Sequence, residues 1–354
     1  MSDHFDHKLI NGRGASGNPI NRFERIIYAR DEECDPADAP LPTTEYYKDT
    51  SKSIISTNDS PDICFEASLN PYRGCEHGCI YCYARPTHEY LSLSSGLDFE
   101  SKIFVKEDAP RLLRKELSHP KWEPKVLVMS GVTDCYQPIE RKLGITRRCL
   151  EVLLDFRNPA VLITKNRLIA RDIDILKQMA EYDGVVANLS VTTFNADLAR
   201  VMEPRASSPM HRLTAIEELS KAGIPVNVMV APIIPGLTDH EIPSIIKRAY
   251  EAGAQSAGYT VLRLPYAVKD LFERWLGDHF PERKNKVLNR LRSLRDGKLN
   301  DSRWGKRMSG EGIFADEIAK LFEVAVRKSG MKPRFRSLSV QSFRNVEEKQ
   351  LKFF

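Results

Sequence analysis

Residues 64–86 read CFEASLNPYRGCEHGCIYCYARP. The first six, Cys64 to Leu69, make a short run of strand length. The rest is a loop in which Cys75, Cys79 and Cys82 follow one another at intervals of four and three residues. Gly74 and Gly78 lower the steric cost of wrapping three sulfurs around one centre. A strand that empties into a ligand-bearing loop suits the first unit of an α/β architecture, provided that similar units continue downstream.

They do. Lys125 to Met129, Ala160 to Thr164, Val185 to Val191, Pro225 to Val230 and Ser256 to Leu262 are further candidate strands. Between them the patterns predict helices over Ala109 to Leu117, Ile139 to Phe156, Ile169 to Glu181, Met210 to Ala222 and Asp239 to Ala252. Leu213, Ile216 and Leu219 form a stripe at helical spacing that Gly223 stops. Ile242, Ile245, Ile246 and Ala249 repeat it before Gly253. Strands alternating with helices imply parallel pairing through right-handed crossovers. Six such units predict an α/β fold built as a partial (β/α)6 barrel, with a doubly wound open sheet as the alternative. No GxGxxG loop follows the first strand to favour a dinucleotide. In a barrel the chemistry belongs at the carboxyl ends of the strands, and the cysteine loop falls there. Residues 1–60, rich in Asp, Pro, Ser, Asn and Gly, read as an irregular extension with a short ordered patch at Asn21 to Tyr28. The core is expected over 61–265. A mainly helical, basic region over 266–354 ends in a helix from Glu311 to Lys328.

The 354 residues are 42% apolar and 29% charged, so a large core can form without metals or disulfides. That composition excludes a disordered, collagen-like or disulfide-stapled chain. Seven cysteines, an odd number, argue against a disulfide framework. The apolar stretch Ile224 to Leu237 is too short for a bilayer helix and is interrupted by Pro225, Pro232 and Pro235. No signal-like block opens the chain, so a cytoplasmic protein without membrane contact is expected. The net charge of +5 is unevenly spread. Arg283 to Arg307 holds ten Lys or Arg against two Asp, which is +8, and leaves −3 for the remainder. Arg327 to Arg336 adds five positive residues and no acid. Such a concentration could steer a polyanion. It could equally be the wet face of a helix whose dry face is Val287, Leu288, Leu291 and Leu294.

Thiolates are soft ligands for zinc or iron–sulfur centres. A structural zinc normally takes four protein ligands, and His77 or His88 could complete such a set. A four-iron cluster on three thiolates leaves one iron open to an external molecule. Unrelated cysteines are the third reading.

The CxxxCxYC pattern on the first strand-to-helix loop resembles the signature of the radical S-adenosylmethionine (SAM) enzymes. RGCEHGCIYCYARPTHEY and the later SGVTDCYQPIE are similar, more narrowly, to the branch related to spore photoproduct lyase. The resemblance covers about residues 60–265. It implies a [4Fe–4S] cluster on Cys75, Cys79 and Cys82, and SAM chelating the open iron. An electron from a reducing donor such as flavodoxin or ferredoxin would cleave SAM, and the resulting 5′-deoxyadenosyl radical would abstract hydrogen from a substrate. A lyase or nucleic-acid modification or repair activity would fit that branch.

The resemblance also suggests which residues would hold SAM. Tyr81 takes the place of an aromatic near the adenine. Ser130, Gly131, Thr133 and Asp134 follow the second strand where the family has a Gly-Gly-Glu, and could receive the SAM ammonium. Lys165, at the end of the third strand, could pair with the SAM carboxylate. Ser190 and Thr192, two residues apart on the fourth strand, could bond to ribose. Glu203, Arg205 and Arg212 are similar to the family's charged residues below the cofactor, although such networks are often only structural. Pro232, Pro235 and Gly236 would shape the loop after the fifth strand, and Tyr259 reads as a packed tyrosine. Cys135 is the candidate catalytic thiol, because spore photoproduct lyase returns hydrogen to its substrate radical from a cysteine near this loop. Here the local pattern puts that donor's place at Gly131. Cys34, Cys64 and Cys149 read as buried or incidental.

The leading expectation is therefore a SAM-dependent radical enzyme acting on nucleic acid through its basic C-terminal region. The alternatives are radical modification of a protein or small metabolite, and a non-catalytic metal-binding module.

Overall fold

A computed structural model describes residues 9–24, 42–63, 65–332 and 337–346. Ten strands run in chain order: β1 Glu45–Lys48, β2 Ile55–Thr57, β3 Ala67–Leu69, β4 Tyr72–Arg73, β5 Lys102–Val105, β6 Leu127–Met129, β7 Ala160–Thr164, β8 Val185–Ser190, β9 Val226–Ile233 and β10 Ser256–Val261. Seven of them form one sheet in the order β10-β9-β8-β7-β6-β3-β2. Every pairing from β3 to β10 is parallel, and β2 adds antiparallel to β3. These are the six predicted units of a partial (β/α)6 barrel, in sequence order, with one extra edge strand. Sequential order with helical crossovers is what right-handed βαβ units generate.

The buried strands read as nearly continuous apolar runs, because parallel strands are covered on both faces. β8 is buried at all six positions. Helices 109–117, 145–156, 173–180, 209–221 and 242–251 bury their stripes against the sheet in one large core, which includes Leu113, Leu150, Leu176, Ile216 and Ile246. The expected helix from Ile139 to Phe156 is two helices. Gly144, at φ 61°, ends Glu140–Leu143 and starts Ile145–Phe156, a left-handed junction that glycine adopts without strain.

The N-terminal extension is not wholly irregular. β1 pairs parallel with β5, and β4 pairs antiparallel with β5, in a small second sheet beside the cysteine loop. Cys34, Cys64 and the second half of the patch expected over Asn21 to Tyr28 lie outside the described residues. In the C-terminal region, helices Val268–His279 and Pro281–Ser293 share a second core with Cys79, Ile80 and Tyr81. The basic segment thus has a dry face, Val287, Leu288 and Leu291, as its spacing allowed.

Candidate active site

The cysteine loop follows the carboxyl end of β3 in the barrel sheet by way of the short β4, and buried hydrogen bonds fix its path. Arg85, fully buried, donates from Nε to the Cys79 carbonyl at 3.0 Å and from Nη2 to the Gly78 carbonyl at 3.1 Å. Nη2 also meets the Glu100 carboxylate. Glu100 in turn accepts the backbone N–H groups of Gly14 and Ala15 at 2.9 and 2.8 Å. Glu76, inside the loop, accepts from the Ile139 N–H at 2.7 Å and from Tyr46 at 2.9 Å. The Arg85–Glu100 pair thereby ties the loop to residues 14 and 15, Glu76 ties it separately to β1 and to Ile139, and these hydrogen bonds offset the cost of desolvating the charges.

Cys75, Cys79 and Cys82 are free thiols. Burial raises the pKa of all three, and for Cys79 burial and then Glu203 push it up to about 12, against Lys165 and Arg212. Backbone N–H groups act the other way: that of Asp134 favours the Cys75 thiolate, and those of Ala84 and Arg85 favour that of Cys82. Thiols gathered on one loop in a largely buried setting fit an iron–sulfur centre, since metal coordination deprotonates a thiol outright. Among the described residues no three His, Cys, Asp or Glu side chains converge on a single ion. His77 and His88 do not complete a zinc set. His77 lies between Asp134 at 3.3 Å and Asn166 at 3.2 Å. His88 is hydrogen bonded to the Lys102 carbonyl at 2.9 Å and packs edge-on against Phe99.

Beneath the loop, the Tyr81 hydroxyl donates to Glu203, which also accepts from Thr192 at 2.7 Å and from Arg212. Arg212 donates further to the carbonyls of Ser190 at 3.1 Å and Ser207 at 2.8 Å. Burial opposes the Glu203 charge, but Arg212, Lys165 and these donors hold the pKa down to about 2. Tyr81, Ser190, Thr192, Glu203 and Arg212 therefore do come together. Lys165 joins them, its ammonium 5.8 Å from the Tyr81 ring centre. Arg205 does not: it pairs with Glu76 at 3.4 Å and Thr44 at 3.0 Å, toward the N-terminal strand.

The loop after β6 is largely spent on the protein itself. The Ser130 hydroxyl accepts the Cys135 N–H at 2.8 Å, and Thr133 donates to the Tyr72 carbonyl at 3.0 Å. The Gly131 carbonyl accepts the Tyr83 hydroxyl at 2.6 Å. Asp134 accepts from Thr164 at 2.8 Å, the Lys165 N–H at 2.9 Å and the Tyr136 N–H at 2.9 Å, besides contacting His77. Its carboxylate locks β7 to the loop and is not free to receive an ammonium. Cys135 also departs from expectation. It is fully buried in the main core, burial drives its thiol pKa well up, and Thr146 donates to its carbonyl at 2.6 Å. A thiol sealed there cannot hand hydrogen to a substrate at the rim. Cys149 is buried in the same core, and Tyr259 packs 4.6 Å from Phe322.

The sequence reading missed Tyr83 and Arg263, which face one another at the rim with the guanidinium 5.6 Å from the ring centre. A charged residue between Leu262 and Leu264, just past the last strand, was the available signal. The basic segment is less bare than its charge suggests. Lys284, Arg290, Arg303, Lys306 and Arg307 pair with Glu273, Asp239, Asp301, Glu311 and Asp62 respectively. Arg295 is buried, donating to the carbonyls of Leu262 and Arg307.

The fold and the buried thiol loop define a class of cofactor-dependent α/β barrel enzymes, and comparison with known proteins fixes which. The Radical SAM superfamily profile matches residues 69–249, and the chain belongs to that superfamily. It is a radical SAM enzyme, and with membership come SAM and an iron–sulfur centre. The uncharacterized protein Rv2578c of Mycobacterium tuberculosis is 32% identical over 232 residues, 65% of this chain and 67% of its own length. A Radical SAM Nalpha-GlyT isomerase of Pseudomonas phage M6 is 26% identical over 203 residues, covering 56% of this chain and 40% of that one. Among solved structures, spore photoproduct lyase complexed with dinucleoside spore photoproduct shares the fold at a TM-score of 0.57 and 16% identity, over 80% of this chain and 78% of that one. Among the described residues no helix is long and apolar enough to cross a membrane.

Proposed function

We propose that Cys75, Cys79 and Cys82 hold a [4Fe–4S] cluster and that the enzyme abstracts hydrogen from a nucleic-acid substrate at the carboxyl end of the sheet. The observation that carries this reading is the set of three unpaired thiols on one loop, Cys75 and Cys79 buried and Cys82 half-buried, with Lys165 nearby over the Tyr81 ring. When bound, the cluster and SAM supply a 5′-deoxyadenosyl radical after one electron arrives from a flavodoxin or ferredoxin, chemistry suited to a reducing cytoplasm.

The chain's own residues do the rest. Lys165 offers the SAM carboxylate a cation from which no buried carboxylate need be withdrawn, since Arg212 already neutralises Glu203. Tyr81 and Thr192 are positioning residues, fixed through Glu203. Ser190 and the carbonyls of the loop after β6 remain as polar groups for ribose and ammonium. The nucleic-acid assignment is supported by the structural neighbour whose title names a bound dinucleoside spore photoproduct. It is supported also by the cationic, aromatic rim around Tyr83 and Arg263.

The test is anaerobic reconstitution, reduction and measurement of 5′-deoxyadenosine. The native chain should form it, and Cys75→Ala, Cys79→Ala and Cys82→Ala should each lose both the cluster absorbance and the product. Undiminished product in the three variants would remove them from the chemistry. Deuterium transfer from labelled oligonucleotide into 5′-deoxyadenosine, absent with a labelled peptide, is the outcome expected for the substrate.

A further inference from the structure

Arg263 stands two residues beyond the end of β10, so it sits at the carboxyl end of the last strand of the barrel sheet. Its guanidinium lies over the ring of Tyr83. Tyr83 follows Cys82 in sequence and reaches across to the Gly131 carbonyl after β6. Arg263 thus shares a rim with the cysteine loop and the β6 loop.

Its polar contacts are poor for a half-buried cation. Nη1 meets only the Met308 sulfur at 3.3 Å, a weak acceptor. Nε is buried without a hydrogen-bond partner. Among the described residues no carboxylate pairs with it. Asp62, whose charge it feels, is engaged by Arg307 Nε at 2.5 Å and by the Gly305 N–H at 2.6 Å. Burial and then the neighbouring Arg307 hold the Arg263 pKa below its ordinary value. Buried donors are nearly always partnered, and leaving one unmade is costly. Arg263 is nevertheless held in place from three sides, by the Tyr83 ring, by Met308, and by Arg295, which fixes the preceding Leu262 carbonyl at 2.7 Å. A positioned cation with donors to spare, beside a second positive charge, is a receptor for an oxyanion.

We propose that Arg263 binds one phosphodiester of a single-stranded nucleic-acid substrate. The inference rests on the nucleic-acid reading given above and assigns the residue that recognises the backbone. The planar guanidinium fork matches a phosphate bidentately. Tyr83 and Trp304 expose 49% and 63% of their surface. They belong respectively to the cysteine loop and the segment that carries Met308, while Tyr266, just past Arg263, already carries the Arg22 guanidinium over its ring at 3.7 Å. Aromatic faces interleaved with a cation are how single strands are held without reading sequence. Lys165 stands apart, over Tyr81 among the buried thiols, and is the better placed cation for the SAM carboxylate.

The experiment uses the full chain with cluster and SAM bound. A fluorescent eight-nucleotide oligothymidylate is titrated by anisotropy at several salt concentrations. Arg263→Gln should weaken binding about 10-fold and reduce the slope of log K against log salt by about 0.7, the value for one phosphate contact on a single strand. Arg263→Lys, which keeps the charge and should fold if the Gln variant does not, should weaken binding less while keeping the slope. Replacing the backbone by methylphosphonate should erase the difference between native and variant chains. SAM affinity, measured alongside, should not change. Native affinity and slope in both variants would overturn the assignment while leaving the nucleic-acid reading intact. A loss seen only in SAM affinity would also overturn it, giving Arg263 to the SAM carboxylate. No binding of the oligonucleotide by the native chain would overturn both readings.

Discussion

His88 shows how one side chain can be misread from sequence and then understood from structure. It lies three residues after Arg85, in the stretch that follows the cysteines, where a metal ligand is one reading of it. Its ring instead lies between Phe99 and Phe104, at centroid distances of 5.3 and 6.1 Å, with Nδ1 buried and unpartnered. Burial lowers its pKa from 6.5 to about 4. Between those values the unfolded chain binds a proton that the folded chain refuses. Stability should therefore fall as pH drops from about 6.5 toward about 4, and this group should contribute no slope above that window. At 1.36 kcal/mol per unit the loss is on the order of 3 kcal/mol. Urea unfolding of the native chain and of His88→Gln, at about pH 7 and about pH 4.5, isolates the contribution. The variant should lose less stability on acidification, and parallel losses in the two proteins would acquit His88. Sequence spacing brought out the cysteines because neighbouring ligands are local. It could not reveal an aromatic cage whose walls come from Phe99 and Phe104.

The cysteine loop is the element whose geometry is most tightly specified. Gly78 has φ 65°, and a Cβ there would stand 2.7 Å from Glu100 Oε2, the carboxylate that Arg85 holds. Gly78→Ala therefore combines left-handed strain, about 1 kcal/mol or more, with displacement of the ion pair that shapes the loop. Gly144→Ala is the matched control. Its φ of 61° is equally left-handed, but a Cβ there would meet nothing within 4 Å. After anaerobic reconstitution, Gly78→Ala should carry less than about half the iron of the native chain if the loop strain reaches the ligands, whereas Gly144→Ala should load normally. Equal iron in both would mean that the loop tolerates the clash without moving its sulfurs. The parallel strands and most helices were legible at this scale because each carries its own apolar period; Ala160–Thr164 and Ala109–Leu117 have the bounds their patterns gave. β1, with all four residues exposed, carries no such period. Its pairing with β5 depends on a partner more than fifty residues away, which local pattern cannot encode. The side chains of the loop after β6 have partners that local pattern could not show, for a related reason. Ser130, Thr133 and Asp134 have the right chemistry for a cofactor, but the fold brings Cys135, Tyr72 and Thr164 to them first.

A sheet of seven strands that does not close has two ends, here β10 and β2, and the whole molecule deals with them through its C-terminal region. The Val261 N–H at the end of β10 donates to the Met308 carbonyl at 2.8 Å. From there the segment reaches Asp62, which precedes β3 near the other end, through Arg307 and Gly305. Arg307 also donates to Ser60. Residues 303–308 are thus a strap between the two ends of the open sheet, carrying the exposed Trp304 and the sulfur that touches Arg263. The concentration of positive charge in this region finds part of its explanation here, since Arg295 and Arg307 are spent on the strap. Charged hydrogen bonds to a largely buried carboxylate contribute about 1.5–3 kcal/mol. Asp62→Ala should therefore leave the barrel folded but release the strap, speeding amide exchange at Gly305 and Val261 by roughly 10- to 100-fold if local opening governs exchange. Amides of β8, deep in the sheet, should exchange as in the native chain and report that the fold is intact. Unchanged exchange at Gly305 would show that Val261 and Arg295 hold the strap without Asp62, and that the two ends of the sheet are joined elsewhere.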